Sequence, residues 1–355
     1  MFTATIGGAH HQGHHETVPC QFTHTHTHTL LAVCLSSVAL ILSSAFSSAD
    51  TCPSNVKAEF LQPEETLSPA YQPPDGNILS RYRFAPPNAG PYNKYPTVLM
   101  FPPDVYKAEY GDRGVPSELM ATRDLQYTGF LVFQVDHRLA PPGALPDQTS
   151  IGRAPDQTDD AKRQILAALA DPQCNGSIYL IGGSAGGTLA LWCALDSATG
   201  AVPGWNDTVR QKIKAVVSLS GITNLDNWDN PGGLSNQDIM RFENNLDNYV
   251  GLPDQDHTHS TLLAASPYNL VHTGAATSSP PVMLFATIKD TVPYSQAEEM
   301  ATELRLHFPS VTITEYTLTD TTGLHAFNYW HTQNTKVTPS DCVSHQVITF
   351  LQANP

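Results

Sequence analysis

The chain has 355 residues, 41% of them hydrophobic, enough for the core of one large domain. Only 14% are charged, and Asp plus Glu outnumber Lys plus Arg by 33 to 18, a formal net charge of −15. No run of Lys or Arg occurs, which argues against a nucleic-acid partner, since phosphate binding needs clustered positive charge.

Residues 1–49 contain no Lys or Arg and carry seven histidines, three of them in "THTHTHT". The apolar run "LLAVCLSSVALILSSAF" follows, then Ser47, Ser48 and Ala49. Small residues after an apolar run predict a secretory signal cleaved after Ala49, although no positive charge precedes it. The alternative is an uncleaved anchor, because about 17 residues is the bottom of the spanning range. A lipid anchor on Cys34 is not expected, since Val33 precedes it. The His tract falls in the part expected to be removed and is read as a weak, functionless metal binder. Beyond it, Cys52, Cys174, Cys193 and Cys342 remain, which permits one or two disulfides in an exported protein.

Residues 50–76, rich in Pro, Ser and Glu, read as an extended lead into a domain spanning 77–355. Short apolar runs then alternate with helical patterns. The strand-like runs are 96–101, 130–135, 177–182, 214–220, 281–287 and 311–318. They are apolar on both faces, as in a parallel sheet covered on two sides. The helical patterns are 117–129, 159–172, 295–308 and 340–352. This alternation predicts an α/β fold, a doubly wound and mostly parallel sheet. Residues 222–275 interrupt it with an excursion too long for a plain connection, either a cap over a pocket or a solvated insertion.

The run 177–182 ends in Gly182-Gly183-Ser184-Ala185-Gly186-Gly187 and leads into another apolar helical stretch. G-x-S-x-G between strand and helix fits a nucleophile elbow, a strained turn that lifts a serine hydroxyl over the sheet. The amide of Ala185, at the helix start, would then face a developing oxyanion. Cys193, further along the same stretch, is expected to be a buried thiol. A serine needs a base, and the base a carboxylate, in the order Ser, acid, His. Asp290, just past a strand, is the expected acid, and His325, just past the last strand, the expected base. Asp320 lies too near His325, Asp226 and Asp229 follow an earlier strand, and His345 falls in the terminal helix. His257 and His259 form an H-x-H pair in the excursion with no matching metal ligands beside it.

With these residues placed, the chain resembles the α/β-hydrolases, and most of all the hormone-sensitive-lipase-like and acetyl-esterase-like carboxylesterases. Gly182 to Gly187 matches their G-[DG]-S-A-G-G elbow. "VDHRLAPPGALP" is similar to their V-D-Y-R-L-A-P segment, with His137 in place of the tyrosine. "VVSLSGITNLDNW" is similar to their strand and turn into the cap, and the likeness spans roughly 77–352. One segment departs. Where those enzymes carry H-G-G-G, this chain reads Phe101-Pro102-Pro103-Asp104-Val105-Tyr106. Proline has no N–H to donate. A simple alignment puts the second oxyanion donor at Asp104 or Val105, which requires either an Asp104 turned outward or a reduced activity.

The resemblance implies an exported serine esterase acting on short-chain acyl or acetylated-sugar esters, with Ser184 as nucleophile, His325 as base, Asp290 as acid and no cofactor or metal. It implies a small-molecule or carbohydrate ester as partner and, once the signal is cleaved, no stable membrane association. The rival readings are a serine exopeptidase of the same fold and a non-catalytic binding protein. Neither the acyl chain nor the oligomeric state is written in the sequence.

Overall fold

The chain divides into two units, residues 1–49 and Asp50–Pro355. The structure, a computed structural model, describes residues 65–66, 79, 81–87, 89–104, 106, 116–140, 152–197, 202–228, 235–253, 255–319, 323–332 and 342–355, all in the second unit. The leader, its expected cleavage point and most of the 50–76 lead therefore lie outside the described residues.

Eight strands form one sheet: β1 (Glu65–Thr66), β2 (Arg81–Phe84), β3 (Tyr95–Phe101), β4 (Leu131–Val135), β5 (Cys174–Gly183), β6 (Ile213–Leu219), β7 (Val282–Thr287) and β8 (Ile313–Leu318). Their order is β1-β2-β4-β3-β5-β6-β7-β8. β3 to β8 pair in parallel, while β1 pairs with β2 and β2 with β4 antiparallel. The predicted parallel sheet is present, extended at one end by a short antiparallel ribbon.

Alternation along the strands divides the core in two. On one face Val98, Met100, Ile181, Val217 and Phe285 pack against α1 (Pro116–Tyr127) and α9 (Val343–Ala353). On the other, Leu99, Phe101, Leu180, Val216 and Leu284 meet α2 (Asp156–Leu169), α3 (Ala185–Leu195) and α8 (Ser295–His307). Successive strand side chains point to opposite faces, so a run of consecutive apolar residues serves both layers. A short helix, α4 (Asp207–Arg210), leads into β6.

Among its described residues the excursion after β6 holds three helices, α5 (Asn236–Val250), α6 (His259–Ala264) and α7 (Pro267–His272). α5 is amphipathic, opens on a Ser235 cap whose hydroxyl accepts the Asp238 N–H, and closes on Gly251 at φ 82. Its Phe242, Leu246 and Tyr249 join Leu262 and Ala265 in a third apolar cluster that includes Ala185 and Val292. The excursion thus packs beside the strand ends that carry Ser184 and Asp290, the arrangement of a cap.

Cys174 and Cys193 are free and buried. Cys342 is in a disulfide whose partner lies outside the described residues. Cys193 is wholly enclosed in α3, and burial pushes its thiol up to about 12.

Candidate active site

Ser184 sits between the last residue of β5 and the first of α3, at φ 50 and ψ −122. This positive φ strains any residue with a Cβ and is the mark of an elbow. The side chain is fully buried, and its Oγ has no hydrogen-bond partner among the described residues. Two glycines make the turn possible by close approach. A Cβ on Gly186 would lie 2.4 Å from the Phe101 carbonyl oxygen, at the end of β3. One on Gly183 would lie 2.8 Å from the Cβ of Ala326, the residue after His325. The first contact seats the 101–104 segment on the start of α3, and the second seats the His325 loop on the elbow. As the first residue of α3, Ala185 has an N–H with no intrahelical acceptor.

His325 and Asp290 meet as expected. His325 Nδ1 is 2.6 Å from Asp290 Oδ1, with the carboxylate fully buried and a quarter of the imidazole side chain exposed. Asp290 Oδ1 also accepts the Val292 N–H at 3.1 Å and the Thr291 hydroxyl at 3.2 Å. Burial opposes protonation of His325, but the charge and hydrogen bond of Asp290 outweigh it, so the ring binds its proton more tightly than a free imidazole.

Two participants were not read from the sequence. Ser220, just past β6 at φ 54, donates its hydroxyl to Asp290 Oδ2 and accepts the Ala326 N–H at 3.3 Å. The Tyr329 hydroxyl lies 3.0 Å from the Ser220 Oγ and donates to the Phe285 carbonyl at 3.3 Å. Together they fasten Asp290 to the loop that carries His325. The only local trace of Ser220 is a serine directly after a strand and before a glycine, at an edge of the sheet where such positions gather.

The other candidates fall elsewhere. Asp226 pairs with the exposed His259, away from His325. His257 lies 2.9 Å from the buried Asp247. His345 is on an exposed position of α9. Asp229 and Asp320 lie outside the described residues. Among the described residues no group of three His, Cys, Asp or Glu side chains is arranged to hold a metal ion.

Of the two alternatives for Asp104, the outward turn is not what the fold shows. Its side chain is buried: Oδ1 accepts the Tyr106 N–H at 3.1 Å, and Oδ2 lies 2.9 Å from His137 Nε2. The loop closes inward because the carboxylate finds an imidazole there instead of water. Val105, the other expected donor, lies outside the described residues. Tyr106, at φ 63, stacks on Tyr249 of α5 with ring centroids 4.0 Å apart, and its hydroxyl is 2.6 Å from Thr188 Oγ1. Beside Tyr249 is a cavity of about 220 Å³, lined also by Ala154, Pro155, Trp192 and Ala265.

No curated protein matches the sequence. Among solved structures, the acetyl ester-xyloside bifunctional hydrolase of Caldicellulosiruptor lactoaceticus is 17% identical, with a TM-score of 0.57 over 83% of this chain and 98% of that one. A thermophilic esterase of Thermogutta terrifontis, Est2, is 18% identical, with a TM-score of 0.52 over 81% of this chain and 90% of that one. These likenesses identify the α/β-hydrolase fold. The BD-FAE family model matches residues 110–304, more than half of the chain, taking in Ser184 and Asp290 and ending before His325. The chain therefore belongs to the BD-FAE family, an esterase family of the α/β-hydrolase type, and is a carboxylic ester hydrolase.

Proposed function

We propose that this protein hydrolyses short-chain carboxylic esters, including acetyl esters of sugars, through a covalent acyl-enzyme on Ser184. The observation that carries the reading is the 2.6 Å contact of His325 Nδ1 with a buried Asp290, on a loop packed against the strained elbow of Ser184. His325 takes the Ser184 proton as the hydroxyl oxygen attacks the ester carbonyl. Asp290 fixes the tautomer and stabilises the imidazolium that forms. The Ala185 N–H and the Asp104 N–H receive the oxyanion. The intermediate collapses as the imidazolium protonates the departing alkoxide, and water then repeats the cycle on the acyl-enzyme.

Tyr106 and Tyr249 support the preference for small acyl groups, because both are buried and pack in one cluster with Ala185, closing that side of the site. The sugar-ester reading draws on the acetyl ester-xyloside hydrolase that shares the fold. Export draws on the leader and on the Cys342 disulfide, a bond of oxidising compartments.

A fluorophosphonate probe tests the nucleophile; the Thermogutta esterase 2 is itself phosphorylated by paraoxon. Labelling is expected in the wild type and absent in Ser184→Ala. An unlabelled wild type would leave the non-catalytic reading. p-Nitrophenyl acetate is expected to be cleaved, and aminoacyl anilides are not, which separates an esterase from an exopeptidase. Activity on esters is expected to fall as the acyl chain lengthens.

A further inference from the structure

Two positions at which this chain departs from the pattern it resembles are far apart in sequence. Asp104 occupies a donor position of the missing H-G-G-G segment, and His137 replaces the tyrosine of V-D-Y-R-L-A-P. In the fold they meet. β3 and β4 are parallel neighbours, with Leu99 opposite Phe133 and Met100 opposite Gln134, so both residues leave the sheet at the same edge. His137 Nε2 lies 2.9 Å from Asp104 Oδ2, with side-chain exposures of 1% and 2%. The two side chains approach at ion-pair distance, both shut away from water.

The chain leaving β3 is pinned at successive points. Asp104 Oδ2 is held at His137, Oδ1 holds the Tyr106 N–H, and the Tyr106 hydroxyl rests on Thr188, one turn along α3 from Ser184. Pro102 and Pro103 have no amide to offer. The Asp104 N–H is the first donor the loop presents after β3, and its placement is set by the side chain of the same residue.

Resting on the Ser184 reading, we infer that the Asp104–His137 pair is a positioning device. It holds the segment 102–104 so that the Asp104 N–H faces the oxyanion, and it cancels a carboxylate charge that would repel that oxyanion. In glycine-rich loops the backbone reaches this placement by freedom from side chains. Here a buried charge pair fixes it. The charged groups facing His137 are Asp104, Asp136 and Asp160, the last held by Arg138 at 2.8 and 2.9 Å. Burial alone would strip the proton from His137, but these carboxylates overcome it and hold the proton above the ordinary imidazole range. The pair's contribution to stability is complete below about pH 6.5 and is lost as the pH rises through the raised folded-state value of His137.

The test compares Asp104→Asn, His137→Gln and the double variant in kcat, KM, melting temperature and rate of fluorophosphonate labelling, from neutral to alkaline pH. His137→Gln leaves the carboxylate bare, and its kcat is expected to fall by about 100-fold with KM within about twofold, the signature of a lost transition-state contact. The double variant removes both charges and is expected to recover about tenfold over His137→Gln. It should also lack the alkaline decline in kcat expected of the wild type. A folded His137→Gln with kcat within about twofold of wild type overturns the inference, as does a double variant no better than the single. Should His137→Gln not fold, the double variant decides: loss of the alkaline decline supports the pair, and its persistence overturns it. Labelling separates the two layers. An unlabelled wild type refutes the Ser184 reading itself, whereas labelling with unchanged kcat in the variants refutes only the pair.

Discussion

Both oxygens of Asp290 are engaged before any substrate arrives. Oδ1 takes His325, Thr291 and Val292, and Oδ2 takes Ser220. A carboxylate held from both sides cannot swing, so the imidazole it faces keeps its Nδ1–H toward Asp290 and leaves Nε2 free of it. In the mechanism proposed above the imidazole acts when neutral, and Asp290 favours its charged form, so the sign follows. Activity should rise with pH through a value above the ordinary imidazole figure of about 6.5. Asp290→Asn should shift that limb toward lower pH and lower kcat by on the order of 10⁴-fold, measured from kcat/KM and kcat profiles on p-nitrophenyl acetate. A limb that did not move in Asp290→Asn would mean another group sets it. The elbow at Ser184 and the strand-end placement of Asp290 and His325 were legible because each stands just past a strand, in a required order and among telling neighbours. Ser220 and Tyr329 were not, because their meaning lies in partners up to 109 residues away, which no local pattern encodes.

Among the elements, α8 shows how the cap is rooted. Gln296, in its first turn, is buried, and its amide serves four backbone groups of the chain leaving β6. Oε1 accepts the N–H groups of Thr223 and Asn224 at 2.8 Å each, and Nε2 donates to the carbonyls of Asn224 and Asn227 at 3.0 and 2.6 Å. Gln296→Ala would orphan those groups, and a loss of about 2–4 kcal/mol is expected in denaturant unfolding. A loss below about 1 kcal/mol would mean that water replaces the amide. The parallel strands were legible because burial on two faces demands unbroken apolar runs. β2 was missed because "RYRF" carries two arginines and is only partly buried, a pattern that reads as surface until a neighbour is known to pair with it. The excursion was legible as an element out of rhythm. That it packs beside Ala185 and Val292 was not, since both a cap and a solvated insertion call for helices such as α5.

For the molecule as a whole, composition indicated one large acidic domain and the order of motifs its architecture, but the closing of the 102–106 loop required the fold. Asp104 read as an unhelpful carboxylate at a donor position and His137 only as a stand-in for tyrosine, and the parallel pairing of β3 with β4 made them partners. The helix that follows Ser184, α3, lies at the centre of the packing against both sheet and cap, and it contains Cys193. Alkylation requires a thiolate, and a thiol pushed up to about 12 inside a closed core supplies almost none. In a Cys174→Ser background with the disulfide intact, native protein should resist iodoacetamide and be modified at Cys193 only at the pace of unfolding, followed by mass spectrometry. Rapid modification under native conditions would show that α3 breathes on its own. The molecule thus carries a built-in clock beside its reactive centre: one sulfur atom, silent while the core is shut, whose consumption times each opening of the fold.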